Sequence, residues 1–279
     1  MSTLPASYAR ALLLPRGGGP LPEGALSGPP NAADPARLAR YAAVCGFRRA
    51  DRLPPTYPHI AAFPLAMELM TRRDFPFRLP GLVHLGCRIE HRRPLAPGEP
   101  LSFRVEAAGP VPHPGGTAFD ITTEATEATE ATGAGGAAVW RSAATYLSRR
   151  RGPSPRRPDA PGGSREPRAS VPGEVWDVPA ATGRRYAAVS RDRNPIHLHP
   201  LPARLFGFPR AIAHGMWSLA RCLAALEDGL PDAFTAEARF RAPIPLPGRV
   251  TFAGSPRGPF TLRATADGRP HLEGRVTPG

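Results

Sequence analysis

Two short segments of this 279-residue chain recur in the same order at similar spacing, and that recurrence narrows the possible folds more than any other feature. Arg40-Tyr41-Ala42-Ala43-Val44-Cys45 returns as Arg185-Tyr186-Ala187-Ala188-Val189-Ser190. Further on, Arg93-Pro94-Leu95-Ala96-Pro97-Gly98, followed by Leu101-Ser102-Phe103, is echoed by Ala242-Pro243-Ile244-Pro245-Leu246-Pro247-Gly248, followed by Val250-Thr251-Phe252. Either match alone is within reach of chance in a chain rich in Ala, Pro and Arg. Both in one order mark two copies of one structural unit.

Each copy reads as helix first and strands after. In the first, a short helix over 35–47 puts Leu38, Tyr41, Ala42 and Cys45 on one face, and an apolar helix over 60–70 carries Pro64, a kink signal. Strands follow at 82–93, 101–107, 118–123 and 138–147. In the second, a strand at 174–178 precedes the repeated Tyr186 segment. A helix starting near His214-Gly215 has Ile212, Met216, Leu219, Leu223 and Leu226 at helical spacing. Strands at 236–241, 249–253, 260–266 and 271–276 complete it, with Asp267-Gly268 as a hairpin turn. Between the copies, 149–171 is rich in Arg, Pro, Gly and Ser and reads as a linker. Residues 1–20 read as a poorly ordered N-terminus. The expected division is therefore 1–20, a first unit at 21–148, the linker at 149–171 and a second unit at 172–279. The triplet repeat over 123–132, flanked by glycines, reads as a solvated extended hairpin rather than an acid–base or metal site.

The candidate chemistry is concentrated between Tyr186 and Cys222. Pro195 and Pro200 exclude a continuous helix and push the residues before them into extended backbone, so Asp192 and His197 are expected on a rigid irregular loop. The helix beginning at Gly215 opens with N–H groups that lack intrahelical partners and carry partial positive charge. A carboxylate, an imidazole and an open helix start suit chemistry beside a carbonyl, with an oxyanion at the N–H and the Asp/His pair moving protons. Singly, Asp192 and Asn194 would be turn-capping residues and His197 a structural histidine. Their joint spacing favours catalysis. In the first copy, Arg49 to Pro55 stands where this loop should be, and no Asp and His occur at the required separation, so that copy reads as degenerate.

Tyr186, Ser190, Asp192, Asn194-Pro195-Ile196-His197, Phe208, Ile212 and His214-Gly215 resemble the hydratase-2 motif of the MaoC-like dehydratase family. The resemblance implies an α+β double hotdog, in which each unit wraps a long helix in a curved antiparallel sheet. It implies a hydro-lyase that hydrates trans-2-enoyl thioesters (R)-specifically, or runs the reverse dehydration of (R)-3-hydroxyacyl thioesters. By that resemblance Asp192 and His197 are the catalytic pair, Asn194 supports the loop and the Gly215 N–H polarises the thioester carbonyl. Tyr186, Ser190, Phe208, His214, Trp217 and His59 are the expected substrate-binding residues, although for His214 and His59 a plain helix-start role is the simpler expectation. Met67, Leu69, Met70 and Phe75 are further candidate liners of an acyl tunnel between the units. Two positions depart from the motif: Arg191 stands where glycine is usual, and His199 where an acid is frequent.

No metal and no cofactor is expected. Cys45, Cys87 and Cys222 are scattered and form neither a zinc pattern nor a disulfide framework. The net charge of +13 is carried entirely by arginine, since the chain has no lysine. Arginines near the site could attract the phosphates of coenzyme A or the acidic face of an acyl carrier protein. Nucleic-acid binding through the linker arginines ranks last, below a hotdog thioesterase and a non-catalytic acyl-binding or partner subunit. No apolar run reaches membrane-spanning length, and a cytoplasmic protein is expected. The internal pseudo-dimer could pair again as a homodimer.

Overall fold

In the computed structural model of the protein, residues 19–128, 136–149 and 173–279 are described. Residues 1–18 of the expected N-terminal segment, 129–132 of the triplet repeat and 150–171 of the expected linker lie outside them. The elements begin with a two-residue strand β1 (Leu26–Ser27) and helices α1 (Pro35–Cys45) and α2 (Tyr57–Thr71). Strands β2 (Leu82–His91), β3 (Leu101–His113), β4 (Gly116–Glu127) and β5 (Ala138–Arg149) follow. The second unit repeats the plan: β6 (Glu174–Val178), α3 (Thr182–Ser190), α4 (Pro195–Leu198), α5 (Pro200–Leu205), α6 (Gly215–Ala225), then β7 (Phe234–Phe240), β8 (Gly248–Gly254), β9 (Pro259–Ala264) and β10 (Pro270–Pro278).

The ten strands form one sheet in the order β1-β3-β4-β5-β2-β7-β10-β9-β8-β6. Adding five to each number of the first half gives the second half read inward from the opposite edge. The two units are thus topological copies, joined where β2 and β7 run antiparallel with Cys87 opposite Ala238. The repeated hexapeptides are the helices α1 and α3. Asp34 starts α1 by accepting from the N–H groups of Ala36 at 2.9 Å and Arg37 at 3.3 Å, and Pro35 suits the first turn. The helix stops at Gly46, at φ 86°. Its counterpart α3 stops at Arg191, at φ 66°, where a side chain is accommodated less readily than glycine. Equivalent residues Tyr41 and Tyr186 are both fully buried and meet ring to ring at 6.1 Å. Each contributes roughly 2–3 kcal/mol by leaving water, so the junction between the units is part of the core.

The strands run longer than their hydrophobic patterns suggested. β4 extends into the triplet repeat as far as Glu127, with Thr123 and Ala125 buried in the core. That part of the repeat is an inner strand rather than a solvated hairpin, and its outward carboxylates Glu124 and Glu127 pair with Arg141 and Arg93. The three cysteines are buried and unpaired. Among the described residues no helix is long and apolar enough to cross a membrane.

Candidate active site

From the end of α3 the backbone is threaded by a ladder of side-chain bonds, each reaching two residues ahead. Ser190 Oγ accepts from the N–H of Asp192 at 3.1 Å, Asp192 Oδ1 from that of Asn194 at 3.1 Å, and Asn194 Oδ1 from that of Ile196 at 3.4 Å. The last bond caps α4, a single turn that carries His197. His197 therefore lies on a helical turn rather than on irregular backbone. The prolines act as expected on their neighbours: Asn194 has ψ 123° and His199 ψ 145°, both extended.

His197 Nδ1 lies 2.8 Å from the carbonyl of Ile212. A carbonyl only accepts, so Nδ1 carries the proton and Nε2 keeps its lone pair. Burial pushes this imidazole below its ordinary value, partly opposed by the charge of Asp192 and the Ile212 bond. The ring of His214 stacks on it, with centroids 3.7 Å apart. His214 is the N-terminal capping residue of α6 by position, but its ring makes no bond to the helix. It donates from Nε2 to the Asp192 carbonyl at 3.1 Å, with the Asp192 carboxylate 3.9 Å away. The simple capping role is thus corrected: the ring braces the loop. Nitrogen and carboxylate atoms of Asp192, His197 and His214 all fall within 4.8 Å of one another, close enough to share one small molecule. As metal ligands they are incompletely free, because the His214 Nε2 proton is already engaged with a carbonyl.

Gly215 is the first residue of α6 and faces the same cavity. A Cβ here would come 3.1 Å from the Phe240 ring, so glycine lets the helix start lie open between Asp192, His197 and β7. The cavity, of about 320 Å³, draws its walls from both units. The first supplies His59, Phe63, Met67 and Met70 from α2, His84 from β2 and Tyr146 from β5; the second supplies Tyr186, Ser190, Asp192, His197, Phe208, His214 and Gly215, among others. His84 stacks on Tyr146 at 4.6 Å and lies 4.8 Å from Phe240. Burial holds His59 near 4, with Asp192 pulling it up, and His84 near 3, so both are neutral donors or acceptors in the wall at neutral pH.

Three expected liners lie elsewhere. Trp217, two residues beyond Gly215, is turned by about 200° around the helix. Its indole N–H donates to Val44 O at 3.0 Å, against α1. Leu69 is fully buried away from the cavity, and Phe75 packs edge-on against Phe119 at 5.5 Å. The two motif departures also stay outside it. Arg191 and His199 are exposed and absent from the lining, so Arg191 does not block the cavity. His84, Tyr146 and Phe240 were not expected. They lie on three strands of two units, and no spacing along the chain brings them together.

The buried histidines make stability depend on acid. Burial lowers His91 to about 4, helped by Arg52 and Arg93, and lowers His214 to about 3, helped by His197. In the unfolded chain each takes a proton as pH falls through about 6.5. The unfolded state therefore binds more protons between pH 6.5 and 4, and stability falls with pH by up to ~1.4 kcal/mol per unit for each group. From these two rings alone, urea unfolding at pH 5 should give a free energy about 2–4 kcal/mol below that at pH 7, and His59 and His84 add to the fall; equal values would mean that these rings are not held neutral.

A sheet that wraps two helices in tandem defines a double-hotdog protein, and Asp192, His197 and the His214-Gly215 helix start meet at one cavity between its units. The chain belongs to the MaoC-like dehydratase family. Residues 158–258 match the MaoC like domain. Over 246 residues, 87% of this chain and 85% of the relative, it is 37% identical to 3-hydroxyacyl-thioester dehydratase X of Mycobacterium tuberculosis. The crystal structure of HtdX of Mycobacterium tuberculosis superposes with a TM-score of 0.77 at 34% identity, covering 92% of this chain and 100% of that one. A conserved hypothetical protein of Mycobacterium tuberculosis, described as a double hotdog, gives 0.52 at 15% identity over 95% and 96% of the two chains. That last likeness is one of fold alone.

Proposed function

We propose that the chain is a hydro-lyase for the (R)-specific hydration of trans-2-enoyl thioesters and the reverse dehydration of (R)-3-hydroxyacyl thioesters. The observation that carries this is the convergence of the Asp192 carboxylate, the His197 lone pair and the start of α6 on one cavity. The 3-hydroxyacyl-thioester dehydratase named above supports it.

In this reading the thioester oxygen lies at the Gly215 N–H, and a water is held between Asp192 and His197 Nε2. The pair takes one proton from the water as its oxygen bonds to C3. The electron pair of the C2–C3 double bond moves toward the thioester, where the N–H stabilises the enolate oxygen, an effect worth about 10²–10³ in rate for one such donor. The pair then returns one proton to C2, so that water is added overall and nothing is oxidised. Because His197 Nδ1–H is committed to Ile212 O, only Nε2 exchanges protons. Asn194 holds the turn. Tyr186, Ser190, Phe208, His214 and His59 shape the substrate's surroundings. The first unit, 21–148, supplies the acyl pocket and the second, 172–279, the chemistry, as an internal pseudo-dimer.

Purified protein with crotonyl-CoA should remove the conjugated enoyl absorbance and release no free thiol. Thiol release with the absorbance intact would replace this reading with thioester hydrolysis.

A further inference from the structure

The segment that supplies Asp192 and His197 to the cavity carries a charge pattern that water addition does not use. Between Thr182 and Gly215 the chain places six arginines against one carboxylate, Asp192, and Asp192 lines the cavity. Arg184, Arg193, Arg204 and Arg210 are exposed, and none of them pairs with a carboxylate among the described residues. Three lean on main-chain oxygens instead: Arg184 on Leu198 at 3.5 Å, Arg204 on Pro209 at 3.4 Å and Arg210 on Pro247 at 3.5 Å. Elsewhere among the described residues half of the arginines pair with a carboxylate, as Arg48 does with Asp228, Arg49 with Asp51 and Arg249 with Asp177.

Apolar surface accompanies this charge. Leu201 and Leu205, one turn apart on α5, are 65% and 87% exposed. Phe206 follows them at 39% exposure and lines the cavity, so this ridge leads directly to the pocket. Exposed leucines at helical spacing, framed by uncompensated cations, fit an acidic helix with apolar side chains along one edge. A nucleotide carrier would use the cations through its phosphates and leave the leucines in water.

We propose that the outer face of α4 and α5 is the docking surface for an acidic acyl carrier protein, which delivers the acyl thioester past Phe206 into the cavity. This rests on the hydratase reading above and adds the identity of the carrier. The cations would speed encounter and the leucines would hold the complex.

The test compares one enoyl group carried on coenzyme A and on acyl carrier protein, with wild type, Arg204→Glu and Leu205→Glu. None of these changes touches the cavity lining. Each variant should raise KM for the carrier-protein thioester at least tenfold and leave the coenzyme A thioester within twofold, which also shows that the fold is intact. The kcat/KM for the carrier-protein thioester should fall steeply with added salt. Equal effects on both thioesters, no effect on either, or an effect confined to the coenzyme A thioester would overturn the docking surface. If wild type hydrates neither thioester, the reaction is wrong. Calorimetric titration of wild type and Arg204→Glu with the acylated carrier protein then decides docking separately: tight binding lost in the variant supports it, and equal or absent binding overturns it.

Discussion

Asp192→Asn should lower kcat for enoyl-thioester hydration by about 10³-fold, within the range contributed by general acid–base groups, and leave the melting temperature close to wild type. The substitution is nearly isosteric. The amide oxygen can still accept from the Asn194 N–H, the 3.1 Å bond that shapes the loop, and the Asp192 carbonyl still receives His214 Nε2. What disappears is the negative charge and the ability to carry a proton. His197→Gln should be comparably damaging, because the loss of the Nε2 lone pair removes the other half of the pair. A circular-dichroism melt alongside the rate separates lost chemistry from lost fold. Asp192→Asn protein that melts normally and hydrates crotonyl-CoA at the wild-type rate would remove Asp192 from the mechanism.

Gly183→Ala should be nearly as harmful from outside the cavity. Gly183 lies in the first turn of α3, where alanine is the better helix former by about 1 kcal/mol. An added Cβ would nevertheless stand 2.0 Å from the carbonyl oxygen of His197 and 3.3 Å from the Leu246 side chain. The clash is with backbone, so α3 and the turn carrying His197 must separate by more than an ångström. A shift of that size in a reacting group costs about 10²-fold in rate, and the forced repacking costs roughly 1–3 kcal/mol in stability. The expected outcome is therefore a fall in kcat of at least 10² with a lowered melting temperature, and a crystal structure showing the Ile212–His197 bond lengthened. A Gly183→Ala protein as active and as stable as wild type would mean that the close approach of helix and turn is not required.

These two positions show what a linear reading can reach. Asp192 and His197 were legible because the loop that holds them is built from local bonds, each spanning two residues and announced by Ser, Asp, Asn and Pro. Gly183 was not, because its partner is fourteen residues away on another helix and a glycine advertises nothing about what lies above it. Trp217 illustrates the converse. It stands two residues from Gly215, yet the turn of the helix sends it to α1, so closeness in sequence was a misleading guide to the cavity wall. His214 was correctly placed at the start of α6, but the use of its ring depended on where the Asp192 carbonyl came to rest.

The sequence by itself determined the two-unit plan, the order of helices and strands, and the loop with its acid and imidazole. Those follow from periodicity, capping residues and prolines, whose effects extend only a few residues along the chain. The tertiary structure alone decided that the two units share one sheet through β2 and β7, and that His84 and Tyr146 of the first line the same cavity as Asp192 and His197 of the second. Such contacts join residues from about fifty to more than a hundred positions apart. They are selected by the burial of whole helix and sheet faces, an energy that no short stretch of sequence contains.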